Sequence, residues 1–282
     1  MPKVSIVLPV FNAEDYVKEA IESVLNQTFR DFELIIINDG STDNSSLIIN
    51  KIHDKRIVYI EQENKGLSKS LNLGISKARG KYIARMDADD ICMPDRLLKQ
   101  VEVFEKNHDI AIVCGNVIYI NSLGVGDRVS LTPSKDKAIR FKLKKGNVIF
   151  HPSTMFRLNI YNKTRGYDEN INCYIEDYIL WLQFLEYGNI YCIKEPILKY
   201  RILDNSISRS LPSGMDKVIR KVARKKGYYS SFYDEFNKAL KNEKMEIIKD
   251  FNVYGYKVND IKRRAILFLY DIYCIIRYRV GL

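Results

Sequence analysis

Val4 to Pro9 (VSIVLP) is an almost unbroken apolar run, the pattern of a strand buried on both faces of a parallel sheet. Asn12 then reads as a helix N-cap with Asp15 completing a capping box, and Val17, Ala20, Ile21, Val24 and Leu25 recur at helical spacing. A second apolar strand, Phe32 to Ile37, runs into Asn38-Asp39-Gly40-Ser41. There Gly40 permits a tight turn and Asp43 caps the next helix. Ile57 to Ile60 makes a third strand, Leu67 to Ala78 a helix, and Tyr82 to Met86 a fourth strand. Strands alternating with helices in this order predict right-handed crossovers and an α/β fold: a Rossmann-like, mostly parallel sheet flanked by helices. Further on, Pro94 opens a helical pattern that runs to Phe104, and Ile110 to Ile120 is a long β-prone run. Ser122 to Asp127 reads as a turn and Lys135 to Lys145 as a basic helix. A further helix starts at Glu176, with Leu180, Leu182 and Leu185 as core positions.

The fourth strand ends in three carboxylates, Asp87, Asp89 and Asp90, at the carboxyl edge of the predicted sheet, where open α/β sheets bind ligands. Carboxylates this close repel one another unless a positive charge sits between them, and a hard divalent cation on phosphate oxygens is the commonest solution. The plain alternative is a solvated acidic turn. Net charge of +10 over 282 residues favours an anionic partner, either a phosphorylated ligand or lipid head groups. No nucleic-acid module is present to suggest a nucleic-acid partner. Five cysteines without C-x-x-C spacing read as reduced thiols in a cytoplasmic protein. Lys3 leads straight into a strand, so no signal peptide is expected, and no apolar stretch suits a bilayer span.

From about Ser213 the character changes. A basic cluster, Arg220 to Lys226, is followed by helical patterns. The last of these, Ile261 to Val280, carries an aliphatic stripe with basic residues at both ends. It reads either as a helix on the anionic inner face of the plasma membrane or as one packed on its own domain or in an oligomer. The expected division is therefore a catalytic domain over residues 1–212 and a helical, basic C-terminal region over residues 213–282.

The stretch VSIVLPVFNAEDYVKEAIESVLNQTFRDFELIIINDGSTDNS, then ENKGLSKSLNLGISKARGKYIARMDADD, resembles the nucleotide-sugar half of the family 2 glycosyltransferases, which have the GT-A fold. The similarity covers roughly the first hundred residues and resumes between His151 and Ser208. It implies a UDP-sugar donor, Mn²⁺ or Mg²⁺, and inversion at the anomeric carbon. By the resemblance, Pro9, Val10 and Asn12 receive base or ribose, Asp39 accepts the uracil imide N–H, and Lys65 and Asn72 approach the nucleotide. Asp87 then contacts the ribose side, Asp89 coordinates the metal, and Asp90 holds the loop. His151 begins the acceptor-side segment, Asp177 acts as base, Glu176 positions the acceptor, and Trp181 is either core or a wall on which a sugar stacks. The chain departs from the family at Asn38, commonly Asp, and at Leu203, where many members place a His. Either Arg201 or Arg209 is expected to take over that anionic contact, or the loop contributes less here.

The expected protein is a cytoplasmic, inverting, metal-dependent transferase acting on a glycan, one carried on lipid in bacterial surface-polysaccharide synthesis. A sugar nucleotidyltransferase would need a glycine-rich phosphate loop near the N-terminus, and a dehydrogenase a G-x-G-x-x-G after the first strand; neither is present. A catalytically decayed membrane scaffold remains the third alternative.

Overall fold

The computed structural model describes residues 1–143, 146–169 and 175–203. Within it β1 (Val4–Val10), β2 (Phe32–Asp39), β3 (Ile57–Gln62) and β4 (Tyr82–Arg85) lie in the order β3-β2-β1-β4, every pairing parallel. The crossovers carry α1 (Val17–Leu25), α2 (Ser45–Asn50) and α3 (Leu67–Ser76). β1 is buried along its whole length, which is why it is apolar without alternation. Val4, Ile6, Leu8 and Val10 join Ala20, Ile21 and Val24 of α1 in one core. On the other face Val7 meets α3 at Gly74, where an added Cβ would stand 2.5 Å from Val7 Cγ1. Glycine is what lets that helix come so close to the sheet.

The remaining strands and α-helices of the described residues are β5 (Ile91–Cys92), α4 (Arg96–Lys106), β6 (Ile110–Ile120), α5 (Asp136–Leu143), β7 (Met155–Arg157), α6 (Leu158–Tyr161), α7 (Glu176–Phe184) and β8 (Asn189–Arg201), with a single 3-10 turn at His151–Ser153. They extend the sheet to eight strands, β3-β2-β1-β4-β7-β6-β8-β5. β7 runs antiparallel to both β4 and β6, β8 runs parallel to β6, and β5 pairs antiparallel with β8 through Ile91↔Lys199 and Cys92↔Leu198. Strand order reverses at β1, with β2 on one side and β4 on the other. The crevice beyond the carboxyl ends of β1 and β4 is thus the topological switch point.

Two local expectations are corrected. Asn12 does not cap α1, which begins five residues later. Its backbone is left-handed (φ 48°) and its Oδ1 accepts the Thr42 N–H at 2.8 Å, so the side chain ties the first loop to the second. Asp15 accordingly closes no capping box. The helix expected to open at Pro94 is α4, which starts at Arg96, and the short β5 lies between the acidic loop and Pro94. Asp43 does accept the Ser45 N–H at 2.9 Å, as expected.

Cys92, Cys114 and Cys192 are buried free thiols. No helix among the described residues is long and apolar enough to cross a membrane. Arg209, the boundary at residue 212, the C-terminal region and its segment Ile261 to Val280 lie outside the described residues.

Candidate active site

The acidic loop is built by the strand ends around it. Met86 N–H bonds Val7 O at 3.1 Å, continuing the β1–β4 ladder by one residue, after which the chain turns through Asp87 and Asp89, both half-buried, and Asp90, which is buried. One carboxylate oxygen from each lies within 4.8 Å of the others. Pairing of β5 with β8 brings the end of β8 to this loop, and the Arg201 N–H donates to Asp90 Oδ1 at 2.8 Å. Burial and the neighbouring Asp87 push the Asp89 carboxyl up to about 6. Asp90 is driven well above the carboxylate range, first by burial and then by Asp87 and Asp89. Three converging oxygen ligands, two of which resist ionising beside the others, fit a hard divalent cation.

Towards β2 the first two loops meet. Pro9 and Val10 are buried at the end of β1, while Phe11 beside them is 51% exposed. Asn12 N–H bonds Ser41 Oγ at 3.0 Å, which fixes the Phe11–Asn12 corner against the Gly40–Thr42 turn. Asp39 accepts Gln62 Nε2 at 2.6 Å, Lys65 N–H at 2.9 Å and Gly66 N–H at 2.8 Å. Lys65 thus serves Asp39 through its backbone, and its side chain is exposed. Asn38, near the end of β2, donates to Tyr59 and Glu61 at 3.0 Å and accepts the Ser41 N–H at 3.1 Å, so its buried side chain ties the strand to the turn that follows.

At the other side of β4, α7 presents Glu176 and Asp177 in its first turn, where the helix dipole favours negative charge. Asp177 accepts Asn147 Nδ2 and its neighbour Tyr178 N–H, each at 2.6 Å. Burial, then the Glu176 charge, pushes its carboxyl up to about 7, a value suited to a base near neutral pH. Burial also raises Glu176, whose Oε1 lies 3.9 Å from His151 Nδ1. His151 is buried, with Nε2 2.7 Å from the Tyr167 hydroxyl; burial and Arg85 hold it well below its ordinary value, hence neutral.

Asn72 and Arg201 make other contacts than expected, and Trp181 takes the first of its two expected roles. Asn72 spends its side chain within its own domain: Nδ2 donates to Tyr167 O and Glu169 Oε1, and Oδ1 accepts the Tyr161 hydroxyl at 2.7 Å and the Tyr167 N–H at 3.1 Å. It fastens α3 to the segment leading to α7 rather than reaching for a nucleotide. Trp181 is fully buried against His151, Phe156 and Phe184, so it is core and no sugar can stack on it. Arg201 is 3% exposed. Its guanidinium donates to the carbonyls of Asp89, Asn121 and Ser122 and to Glu19 Oε2, so it braces the loop instead of waiting for phosphate.

Sequence reasoning missed Arg85, Phe11 and Asn147. Arg85 is 3% exposed and ion-paired with Asp87, and its charge acts on Glu176 and Asp177 as well as on Asp89 and Asp90. The Asp87 charge is also felt at Glu176, so the loop and the start of α7 share one electrostatic neighbourhood. A cation closing an otherwise apolar strand was a readable signal. That Asn147 would meet Asp177 was not.

The family model for glycosyl transferase family 2 matches residues 5–165, more than half of the chain. An uncharacterised glycosyltransferase of Methanocaldococcus jannaschii is 39% identical over 219 residues, covering 74% of each chain. Among solved structures, residues 1–349 of Staphylococcus aureus TarS in complex with UDP-GlcNAc superpose with a TM-score of 0.65 at 18% identity, over 84% of this chain and 71% of that one. In the TarS complex with UDP the alignment spans 64% of the TarS chain. A mannosyltransferase from Pyrobaculum calidifontis in complex with GDP-Man and Mn²⁺ gives a TM-score of 0.58 at 15% identity, over 87% of this chain and 71% of that one. At such identities these structures speak for the fold, a GT-A fold.

Proposed function

We propose, from the premise that this chain belongs to glycosyl transferase family 2, that it moves a sugar from a UDP-sugar to a glycan hydroxyl with inversion and with help from a divalent metal. The observation that carries the reading is the shared neighbourhood of two acid sets: Asp87, Asp89 and Asp90 at the sheet edge, Glu176 and Asp177 at the start of α7.

The nucleotide end falls to the β1 and β2 edges. Phe11 offers an exposed ring for a base to stack on, and Asp39, already fixed by three donors, keeps lone-pair capacity for an imide N–H. Asp89, with Asp87 beside it, is the residue that would hold Mn²⁺ or Mg²⁺. Bound there, such an ion supplies Lewis-acid neutralisation of the diphosphate as it departs. Asp177 takes the proton of the acceptor hydroxyl as that oxygen attacks the anomeric carbon from the face opposite the diphosphate. The new glycosidic C–O bond forms as the old one breaks, and UDP leaves. Glu176, protonated more readily than an ordinary carboxylate, is suited to hydrogen-bond the acceptor. TarS and the Pyrobaculum enzyme, solved with UDP-GlcNAc and with GDP-Man and Mn²⁺, support a nucleotide-sugar donor and a metal. The net charge of +10 favours an anionic, lipid-linked saccharide as acceptor, presented at the inner face of a bacterial plasma membrane.

The test is UDP release from a panel of UDP-sugars, with Mn²⁺ and after chelation, by the wild type, Asp89→Asn and Asp177→Asn. Metal-dependent release that either substitution abolishes is the expected result. Release that ignores chelator and substitutions alike would sink the reading.

A further inference from the structure

Four arginines of the described residues are nearly or fully buried near the sheet, and three are saturated by the protein. Arg201 donates to three carbonyls and Glu19; Arg157 donates to the carbonyls of Ile110, Phe104 and Asn107; Arg96 donates to Gln100 and to the carbonyls of Arg85 and Thr154. Such side chains hold backbone in place. Arg85 differs. It is ion-paired with the site carboxylate of Asp87, and both its Nε and its Nη1 are buried without a hydrogen-bond partner. Its backbone, by contrast, is clamped: Arg85 N–H donates to Thr154 O at 2.9 Å, and Arg85 O accepts Arg96 Nη2 at 2.7 Å. A guanidinium is always charged; this one pairs with Asp87, and its charge also acts to lower the carboxyls of Asp89, Asp90, Glu176 and Asp177.

We propose that Arg85 is a positioning residue for sugar transfer, holding Asp87 and serving as the shared counter-ion for Asp87, Asp89 and Asp90 on one side and Glu176 and Asp177 on the other. This rests on the sugar-transfer reading of the site. As counter-ion, Arg85 competes with an incoming cation for the same carboxylates, yet keeps the two acid sets at a workable distance. Loss of its charge therefore has opposite effects on metal binding and on turnover, whereas simple damage to the fold lowers both.

The experiment compares full-length wild type, Arg85→Gln and Arg85→Lys at pH 8.5 by Mn²⁺ titration, thermal melting, and kcat and KM for the donor. Arg85→Gln is expected to bind Mn²⁺ about three- to tenfold more tightly, the size of one charge acting through a partly screened site. Its kcat is expected to fall about 10- to 100-fold, as when a group orienting a metal site is removed. Arg85→Lys, which restores charge without the planar fork, returns Mn²⁺ affinity towards wild type. The proposal is overturned if Gln weakens Mn²⁺ binding together with kcat and melting temperature, if kcat is unchanged, or if Lys binds Mn²⁺ as Gln does. Should the wild type turn over no nucleotide sugar, the functional reading fails. The Mn²⁺ affinities alone then decide on the counter-ion role.

Discussion

Replacing Asp177 by Asn is expected to destroy activity while making the protein more stable at alkaline pH. The Asp177 carboxyl is raised from 3.8 to about 7 by burial and by Glu176, with Asn147 and Tyr178 only partly compensating. At about 1.4 kcal/mol per unit, holding this group ionised at pH 8.5 costs the folded state about 4 kcal/mol, nearer 2–4 because the side chain is partly accessible. The folded pKa lies above the unfolded one, so between the two the native state keeps a proton that the unfolded chain releases. Stability is therefore full below about pH 4 and is lost progressively as pH rises through about 7. An amide removes this dependence and forfeits one of the two accepted hydrogen bonds, about 1 kcal/mol. The advantage of Asp177→Asn over wild type should thus grow by about 2 kcal/mol between pH 5.5 and pH 8.5. Trp181, the single tryptophan, is fully buried one turn along α7 and reports unfolding in urea by its fluorescence. Transfer by the variant should fall about 10²- to 10⁴-fold, and wild-type kcat should rise with pH through about 7. A pH-independent stability difference, or a variant keeping a tenth of wild-type turnover, would refute the reasoning.

Other substitutions probe the parts around that base. Asp89→Asn should remove at least about 100-fold of Mn²⁺-dependent turnover and abolish the rise in melting temperature that Mn²⁺ gives the wild type; an undiminished Mn²⁺ shift would place the cation elsewhere. Arg201→Met leaves the carbonyls of Asp89, Asn121 and Ser122 without their donors and should cost about 2–4 kcal/mol in urea unfolding, mostly independent of salt. A loss below about 0.5 kcal/mol would show that water replaces the guanidinium freely. Gly40→Ala should cost about 1–3 kcal/mol, since φ is +72° and the new Cβ would stand 2.6 Å from Asn64 N. Because that turn carries Asp39, donor KM should rise while kcat stays within a few-fold; an unchanged KM would detach the turn from nucleotide binding.

The sequence determined the framework. Continuous apolar runs such as Val4 to Pro9 and the helical spacing of Val17, Ala20 and Ile21 follow from burial on both faces of a strand and one face of a helix, so β1–β4 and α1–α3 were legible within a few residues. The acidic loop and the acids opening α7 were legible as well, since each type of group is local to its element. Strand pairing between distant segments was not written locally. Only tertiary structure placed β7 antiparallel between β4 and β6, and only the β5–β8 pairing carried Arg201 to the acidic loop as a brace. The same holds for Asn72, whose polar side chain reads as available until residues nearly a hundred positions away satisfy it. Charge in a buried site behaves likewise: Arg85 looks like any strand-end cation, and its bearing on both Asp89 and Asp177 arises from low-dielectric proximity that no sequence pattern encodes.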